Sequence, residues 1–388
     1  MKFIHLADLH IGKRVNAFPM LEDQRYILKQ ILTILREEQP DGGVILAGDI
    51  YDKAIPSAEA VELFDRMTEE IVGKRHTPLI VISGNHDSAE RLAVASRLLS
   101  HQGLYIFGPL DRVHPVILED AWGKVAFVPL PYAEPARVRV MMNQKGLSGA
   151  EDIHSYEEAE KKLSEILLSA LPDPSMRKVA LAHVFAAGGT PSESERPLSI
   201  GGYDRISDSV FDAYDYAALG HLHRHQRTQK QSERVQYSGS LMRYSFDEAE
   251  QHKGVIVGTI GEDGSVETDF RELAPLHQVR VLEGTFAELM SEKREASEDY
   301  LQVILTDELP VIDAMPKLRE KYKNALGVEQ NMGYKEDSGR RDIELEHMSD
   351  QDIFRAFVSE FRERALSDKE EALANVCWEA VYKKEEER

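Results

Sequence analysis

The sequence predicts an α/β fold built in layers, and three observations carry that expectation. Short apolar runs recur through residues 1–270 and end in polar clusters. The stretches between them space their apolar residues three and four apart. A content of 42% apolar and 30% charged residues allows a sizeable core. Five runs matter: 3–7 before Asp8, 44–47 before Gly48 and Asp49, 79–82 before Gly84, Asn85, His86 and Asp87, 179–182 before His183, and 217–219 before Gly220 and His221. Because they are apolar at successive positions, they read as strands buried on both faces, covered by helices over 24–37, 58–72 and 156–170.

At 388 residues the chain exceeds one ordinary domain. The Gly-Glu-Asp-Gly turn at 261–264 joins two β-rich runs and closes the first domain at about residue 275, giving 1–275. Residues 276–333 alternate strand and helix on a small scale, with a strand over 301–305 and a helix over 314–325, and read as a second domain. Residues 334–348 are polar with little periodicity and read as a linker. Over 349–388, Ile353, Phe354, Phe357, Val358 and Phe361 share one helical face. Ser367 and Glu370 form a capping box ahead of Leu373, Val376, Ala380 and Val381. A helix pair this short buries its stripes either on the body of the chain or on another chain.

With 47 basic and 68 acidic residues the net charge is −21, so the chain as a whole is no polyelectrolyte binder of nucleic acid or anionic membrane. Any polyanion must be gripped locally, through a metal or with a partner. Cys377 is the only cysteine, which excludes an intrachain disulfide and a thiolate zinc cage and favours a reducing compartment. The N-terminus turns polar before a signal-peptide core forms, and no apolar run approaches the ~18 residues of a membrane span, so the expected address is the cytoplasm, with no membrane association.

Each polar cluster alone is a weak signal. Together they all follow β-type runs, and open α/β sheets build their sites at the carboxyl ends of strands. Asp8, His10, Asp49, Asn85, His183, His221 and His223 are seven oxygen or nitrogen donors without sulfur. One ion does not need seven side chains; two divalent ions about 3.5–4 Å apart do, with Asp49 as the natural bridge. The donor set is compatible with manganese, iron or zinc. If the segments are extended, Asp8 with His10 and His221 with His223 each present two donors to one side. Gly48, Gly84 and Gly220 precede donor-bearing turns where a side chain would interfere. His86 points away from Asn85 and is left to act on the substrate.

The motifs Asp8-X-His10, Gly48-Asp-X-X-Asp52, Gly84-Asn-His-Asp87, His183 and Gly220-His-X-His223, in this order, resemble those of the calcineurin-like metallophosphoesterases. Within that superfamily the runs His5-Leu-Ala-Asp-Leu-His-Ile-Gly12, Ala182-His-Val-Phe-Ala-Ala-Gly-Gly189, Tyr237-Ser-Gly-Ser240 and Ser245-Phe-Asp-Glu248 are similar to the SbcD nuclease subunits, bacterial counterparts of the Mre-type repair nucleases. The resemblance implies a β-sandwich flanked by helices, a small α+β capping domain and a C-terminal helix pair docking a coiled-coil ATPase of the SbcC type. It implies one ion on Asp8, His10, Asp49 and His223 and a second on Asp49, Asn85, His183 and His221, with Mn2+ as the expected metal.

His86 would be the general acid or phosphate-contacting histidine, with Asp87 or Asp52 accepting a hydrogen bond from it. The implied activity is ATP-dependent 3′–5′ exonuclease and single-strand endonuclease action on DNA, by a homodimer within a heterotetramer; ATP would be handled by the partner, since no Gly-X-X-X-X-Gly-Lys-Ser/Thr occurs here. A phosphomonoesterase or cyclic-nucleotide phosphodiesterase, and a non-enzymatic scaffold, are the competing readings. Lys13, Arg14, Arg91, Arg97, Arg224, Arg227 and Arg243 are basic candidates near the motifs, and Tyr51 and Tyr203 candidate stacking residues.

Overall fold

The computed structural model describes residues 1–195 and 205–330, then 351, 353–355, 358–359, 366–367 and 369–375. Two six-stranded sheets form the body. In the first, Val266–Glu272, Gly254–Ile260, Lys2–Leu6, Val44–Ala47, Leu79–Ile82 and Leu104–Phe107 lie in that spatial order. In the second the order is Gln226–Arg227, Val235–Tyr237, Tyr216–Gly220, Arg177–His183, Gly123–Leu130 and Val116–Asp120. In each sheet the four strands nearest the chemistry run parallel, so their carboxyl ends share one edge.

Side-chain alternation decides which core each strand feeds. Phe3, Ile45, Ile80 and Ile82 pack with Phe127, Val179, Leu181 and Ala217 of the second sheet. Ile4, Leu6, Val44, Leu46, Leu79 and Val81 pack instead with Ile27, Ile31, Leu63 and Phe64, which belong to the helices Leu21–Glu38 and Ala58–Thr68. Each large apolar side chain buried this way contributes about 1.5–3 kcal/mol before conformational entropy is charged against it.

His5, fully buried, crosses the inter-sheet core, its Nδ1 3.0 Å from the Tyr216 hydroxyl and its Nε2 3.2 Å from Leu219 O. Burial pushes its imidazole down to about 3, so it is a neutral strut between the sheets. At the amino end of its strand, Arg177 binds Asp120 and donates to Gly261 O and Gly123 O at 3.1 and 3.0 Å, tying the second sheet to a turn of the first.

The expected helices 24–37 and 156–170 are found as Leu21–Glu38 and Tyr156–Ser169. The helix expected over 58–72 is α-helical over Ala58–Thr68 and continues as a π-turn, Glu69–Gly73. Beyond residue 275, Val279–Gly284, Tyr300–Leu305 and Ala325–Gln330 form a three-stranded parallel sheet with the helices Phe286–Met290 and Ala314–Lys321. The helix expected over 314–325 therefore stops early: Tyr322 turns the chain and Ala325 begins a strand paired with Leu301. Tyr300 donates to the Asp23 carboxylate at 2.6 Å and His277 Nδ1 lies 3.0 Å from the same group, which binds this sheet to the helix Leu21–Glu38.

Backbone contacts group residues 1–332 into one compact unit and 333–388 into another. In the second unit 353–355 and 369–375 are helical. Ser367 pairs with Glu370, its N–H and hydroxyl donating at 2.9 and 2.7 Å, and Arg355 Nε contacts Glu371 at 2.6 Å. Phe357, Phe361, Val376, Ala380, Val381 and the linker 334–348 lie outside the described residues.

Candidate metal centre

Both sheets deliver donors to the shared edge. Asp8 and His10 follow Lys2–Leu6, Asp49 follows Val44–Ala47, and Asn85 and His86 follow Leu79–Ile82. His183 ends Arg177–His183, and His221 and His223 follow Tyr216–Gly220. The extended geometry expected for the paired donors is not what presents them. Asp8, His10, Asp49 and His221 have φ of 52°, 44°, 51° and 105°, a region that non-glycine residues rarely occupy. The loops hold them there by interlocking: Asp8 N–H donates to Gly48 O at 3.1 Å, His10 N–H to Asp49 O at 3.0 Å, and His221 N–H to both Asp8 carboxylate oxygens at 3.0 and 3.1 Å.

The three glycines allow this closeness. A Cβ at Gly84 would collide with Asp49, one at Gly48 with His183, and one at Gly220 with Ala47 O. Asp49 consequently sits at the middle of the cluster. Its Oδ2 lies 3.7 Å from His10 Nε2, 3.5 Å from His183 Nε2 and 3.9 Å from His86 Nε2. His10 Nε2 and His223 Nε2 stand 2.9 Å apart, and His183 Nε2 is 2.9 Å from Asn85 Oδ1.

Among the described residues three overlapping triplets have donor atoms close enough to hold a cation: Asp8, His10 and His223; His10, Asp49 and His86; and Asp8, Asp49 and His183. His221 falls outside them, though its ring lies 5.5 Å from that of His183.

The residues fit divalent cations on their own electrostatics. Asp8 and Asp49 are 0% and 2% exposed. Burial pushes the Asp8 carboxyl well above its usual range, with the Asp49 charge adding to it, and burial raises Asp49 as well. Burial drives the imidazoles the other way, His10 and His221 well down and His183 to about 4. Neutral imidazoles with an available lone pair beside carboxylates that lack a counter-charge form a set a cation completes. The far nitrogens are arranged accordingly. His183 Nδ1 lies 2.9 Å from Ala47 O, and His223 Nδ1 meets Ser194 Oγ with Glu248 at 3.5 Å, leaving each Nε2 to the cluster. His10 Nδ1 is buried without a hydrogen-bond partner among the described residues, 3.9 Å from Asp52 Oδ1.

His86 is 4% exposed, its ring 4.7 Å from that of His10. Its Nδ1 lies 2.9 Å from the main-chain carbonyl of Asp52, and its own N–H donates to Asp49 Oδ1 at 2.9 Å. The Asp52 carboxylate, one of the two expected acceptors for His86, instead binds Lys13 at 3.2 Å. Asp87, the other expected acceptor, receives N–H groups of Ile50, Tyr51 and Gly84 at 3.0–3.1 Å and splices two donor loops together. Burial, with Asp49 nearby, pushes its carboxyl up to about 6.

Several supporting residues have roles that the sequence did not signal. Gln24 donates to His10 O at 2.7 Å and accepts from Gly12 N–H at 2.9 Å, and the Tyr244 hydroxyl donates to Leu9 O at 2.6 Å. Behind His223, Lys253 donates to its carbonyl at 2.7 Å and pairs with Glu248 at 2.7 Å, both side chains being buried. Of the basic candidates, Lys13, Arg14, Arg227 and Arg243 are engaged, with Asp52, Ala17 O, Glu233 and Gln251 O. Tyr51 packs edge-on against Phe64, and Tyr203 lies outside the described residues.

Two family models match the sequence of this chain. The family model described as calcineurin-like phosphoesterase matches residues 1–225, and the model described as type 5 capsule protein repressor C-terminal domain (SbcD_C) matches 275–361. A curated relative, the SbcD subunit of the SbcCD nuclease from Staphylococcus epidermidis, is 34% identical over 370 residues, covering 95% of each chain. Among solved structures, a dimetal phosphatase from Danio rerio is 15% identical with a TM-score of 0.39, covering 71% of this chain and 96% of that one. The chain belongs to the calcineurin-like phosphoesterases and, within them, to the family of SbcD nuclease subunits.

Proposed function

We propose that this chain is the nuclease subunit of an SbcC/SbcD-type complex and hydrolyses DNA phosphodiesters with two divalent ions, Mn2+ in the first instance. One ion would be held by Asp8, His10, Asp49 and His223 and the other by Asp49, Asn85, His183 and His221. The observation that carries the reading is the position of Asp49, whose one carboxylate oxygen faces nitrogens of His10, His183 and His86 from two different sheets. When bound, the ions supply Lewis acidity, an acidified water as nucleophile and charge for the phosphoryl oxygens.

The protein's own groups do the rest. Ala47 O and the Ser194–Glu248 pair fix the ring orientation of His183 and His223. The Asp52 carbonyl fixes the tautomer of His86 with its proton on Nδ1, so Nε2 faces the cluster, where in its protonated form it delivers a proton to the leaving 3′ oxygen. The segment 276–333 would cap the site and 349–388 dock a coiled-coil ATPase, in a complex containing two copies of this chain, acting on DNA ends and hairpins in the cytoplasm by ATP-dependent 3′–5′ exonuclease and single-strand endonuclease cleavage. Among the described residues no helix is long and apolar enough to cross a membrane.

The test is purified protein with Mn2+ on single- and double-stranded DNA and on a small aryl phosphate, with the partner and ATP added for duplex ends. DNA cleavage is expected; turnover of the aryl phosphomonoester alone would make the chain a phosphatase instead. His86→Asn is expected to lower cleavage by about 10²–10⁴ with metal content unchanged, and full activity in that variant would remove His86 from the chemistry.

A further inference from the structure

The parallel pairing of Gly123–Leu130 with Arg177–His183 sets Leu130 opposite Ala182, so the chain leaving that strand emerges at the same sheet edge as His183. Tyr132 is fixed there. Its N–H donates to Ser83 O at 3.0 Å, just ahead of Gly84 and Asn85. Its ring meets the His183 ring edge-on with centroids 6.5 Å apart. Tyr156 stacks on it at 6.2 Å and 30°, with the hydroxyls 3.2 Å apart.

Tyr132 also lines a cleft of about 360 Å3, whose apolar wall is Pro109, Leu110, Val140 and Met141 and whose charged groups are Arg137, Glu90 and Asp111. The stacking and hydroxyl contact with Tyr156 support the Tyr132 ring beside the cleft. Val140 is 55% exposed, although the helix Pro135–Gln144 buries Val138, Met141 and Met142. Arg137 stands at the cleft with a loose 4.0 Å contact to Glu90, in which both side chains are mostly exposed.

We propose that this cleft receives one unpaired nucleobase of the DNA strand, stacked on Tyr132 next to the phosphate being cut, with Arg137 meeting an adjoining phosphate. The chemistry is specific in kind: an apolar wall with one supported aromatic ring accepts the uncharged π-face of any base, and the guanidinium of Arg137, exchanging its loose contact with Glu90 for a phosphate, accepts the backbone, while Glu90 and Asp111 keep further phosphates out of the cleft. A base inside an intact duplex is not available to it, so the cleft selects single strands, frayed ends and hairpin loops. The inference rests on the nuclease reading and deepens it.

A two-by-two experiment separates the two. Wild-type protein and Tyr132→Ala are each assayed with Mn2+ on a single-stranded oligonucleotide and on the same strand made abasic at one position beside the cut, scanned along the chain. At one position, three of the four combinations should show the same KM, roughly tenfold above wild type on the intact strand. Tyr132→Phe, which keeps the ring, should behave as wild type. Equal losses for Tyr132→Ala on intact and abasic strands would mean that Tyr132 only supports the fold, and no loss at all would mean that no base is held there; either result overturns the cleft. If wild-type protein cuts neither strand, the nuclease reading itself has failed.

Discussion

Four of the candidate metal-binding residues carry backbone strain. Asp8, His10, Asp49 and His221 all hold positive φ, at a cost of order 1–3 kcal/mol each, which surrounding structure must over-determine. Gly84 and Gly220 are part of that surrounding structure, because a Cβ at either would strike the Asp49 or Ala47 backbone region. Gly84→Ala is therefore expected to retain secondary structure by circular dichroism but to bind metal at least about tenfold more weakly by elemental analysis after dialysis; unchanged stoichiometry would show that the loop relaxes without moving Asp49. The convergence of Asp8, His10, Asp49, Asn85, His183, His221 and His223 on one sheet edge was legible in the sequence because each follows an apolar run, and position after a strand is a local property. The roles of Asp87, Gln24, Glu248 and Lys253 were not. Glu248 reaches His223 across 25 positions and Gln24 reaches Tyr244 across 220, separations that only the fold closes.

At the scale of elements, the helix Tyr156–Ser169 carries an anomaly. Glu160 faces the core at 4% exposure, and its Oε1 has no hydrogen-bond partner among the described residues. Burial pushes its carboxyl up to about 8. A carboxyl with a folded pKa above its unfolded value binds more protons in the folded state, so the stability it permits is full below the unfolded value and is lost as pH rises toward 8. Denaturant melts at pH 5, 7 and 9 should show stability falling by several kcal/mol across that window, at about 1.4 kcal/mol for each pH step between the unfolded and folded values, and Glu160→Gln should flatten the profile. An unchanged slope in the variant would place the titration elsewhere.

The apolar runs 44–47 and 79–82 match their strands to the residue, since polar or glycine-rich boundaries bracket them on the C-terminal side. Leu104–Phe107 and Val116–Asp120 were not anticipated, the second because its pattern follows an edge position exposed at alternate residues. The helix over 314–325 was overextended because helical spacing continues into a segment whose pairing with Tyr300–Leu305 overrides it.

At the scale of the molecule, a chain of net charge −21 can engage DNA only where local cations outweigh that field. The proposed arrangement puts them at the metal pair and at residues such as Arg137. The helices around 353–355 and 369–375, joined by Arg355 and Glu371, belong to the second compact unit. Truncation before Ser349 is expected to leave metal content and single-strand cleavage in place while abolishing co-purification with the ATPase, and continued co-purification would refute docking through this segment.

The central claim is that Asp49 is shared by two cations. Anomalous scattering from crystals soaked in Mn2+ tests it most directly: two peaks about 3.5–4 Å apart are expected on either side of the Asp49 carboxylate, one reached by His10 and His223, the other by His183 and Asn85. A single peak, or peaks away from Asp49, would contradict it.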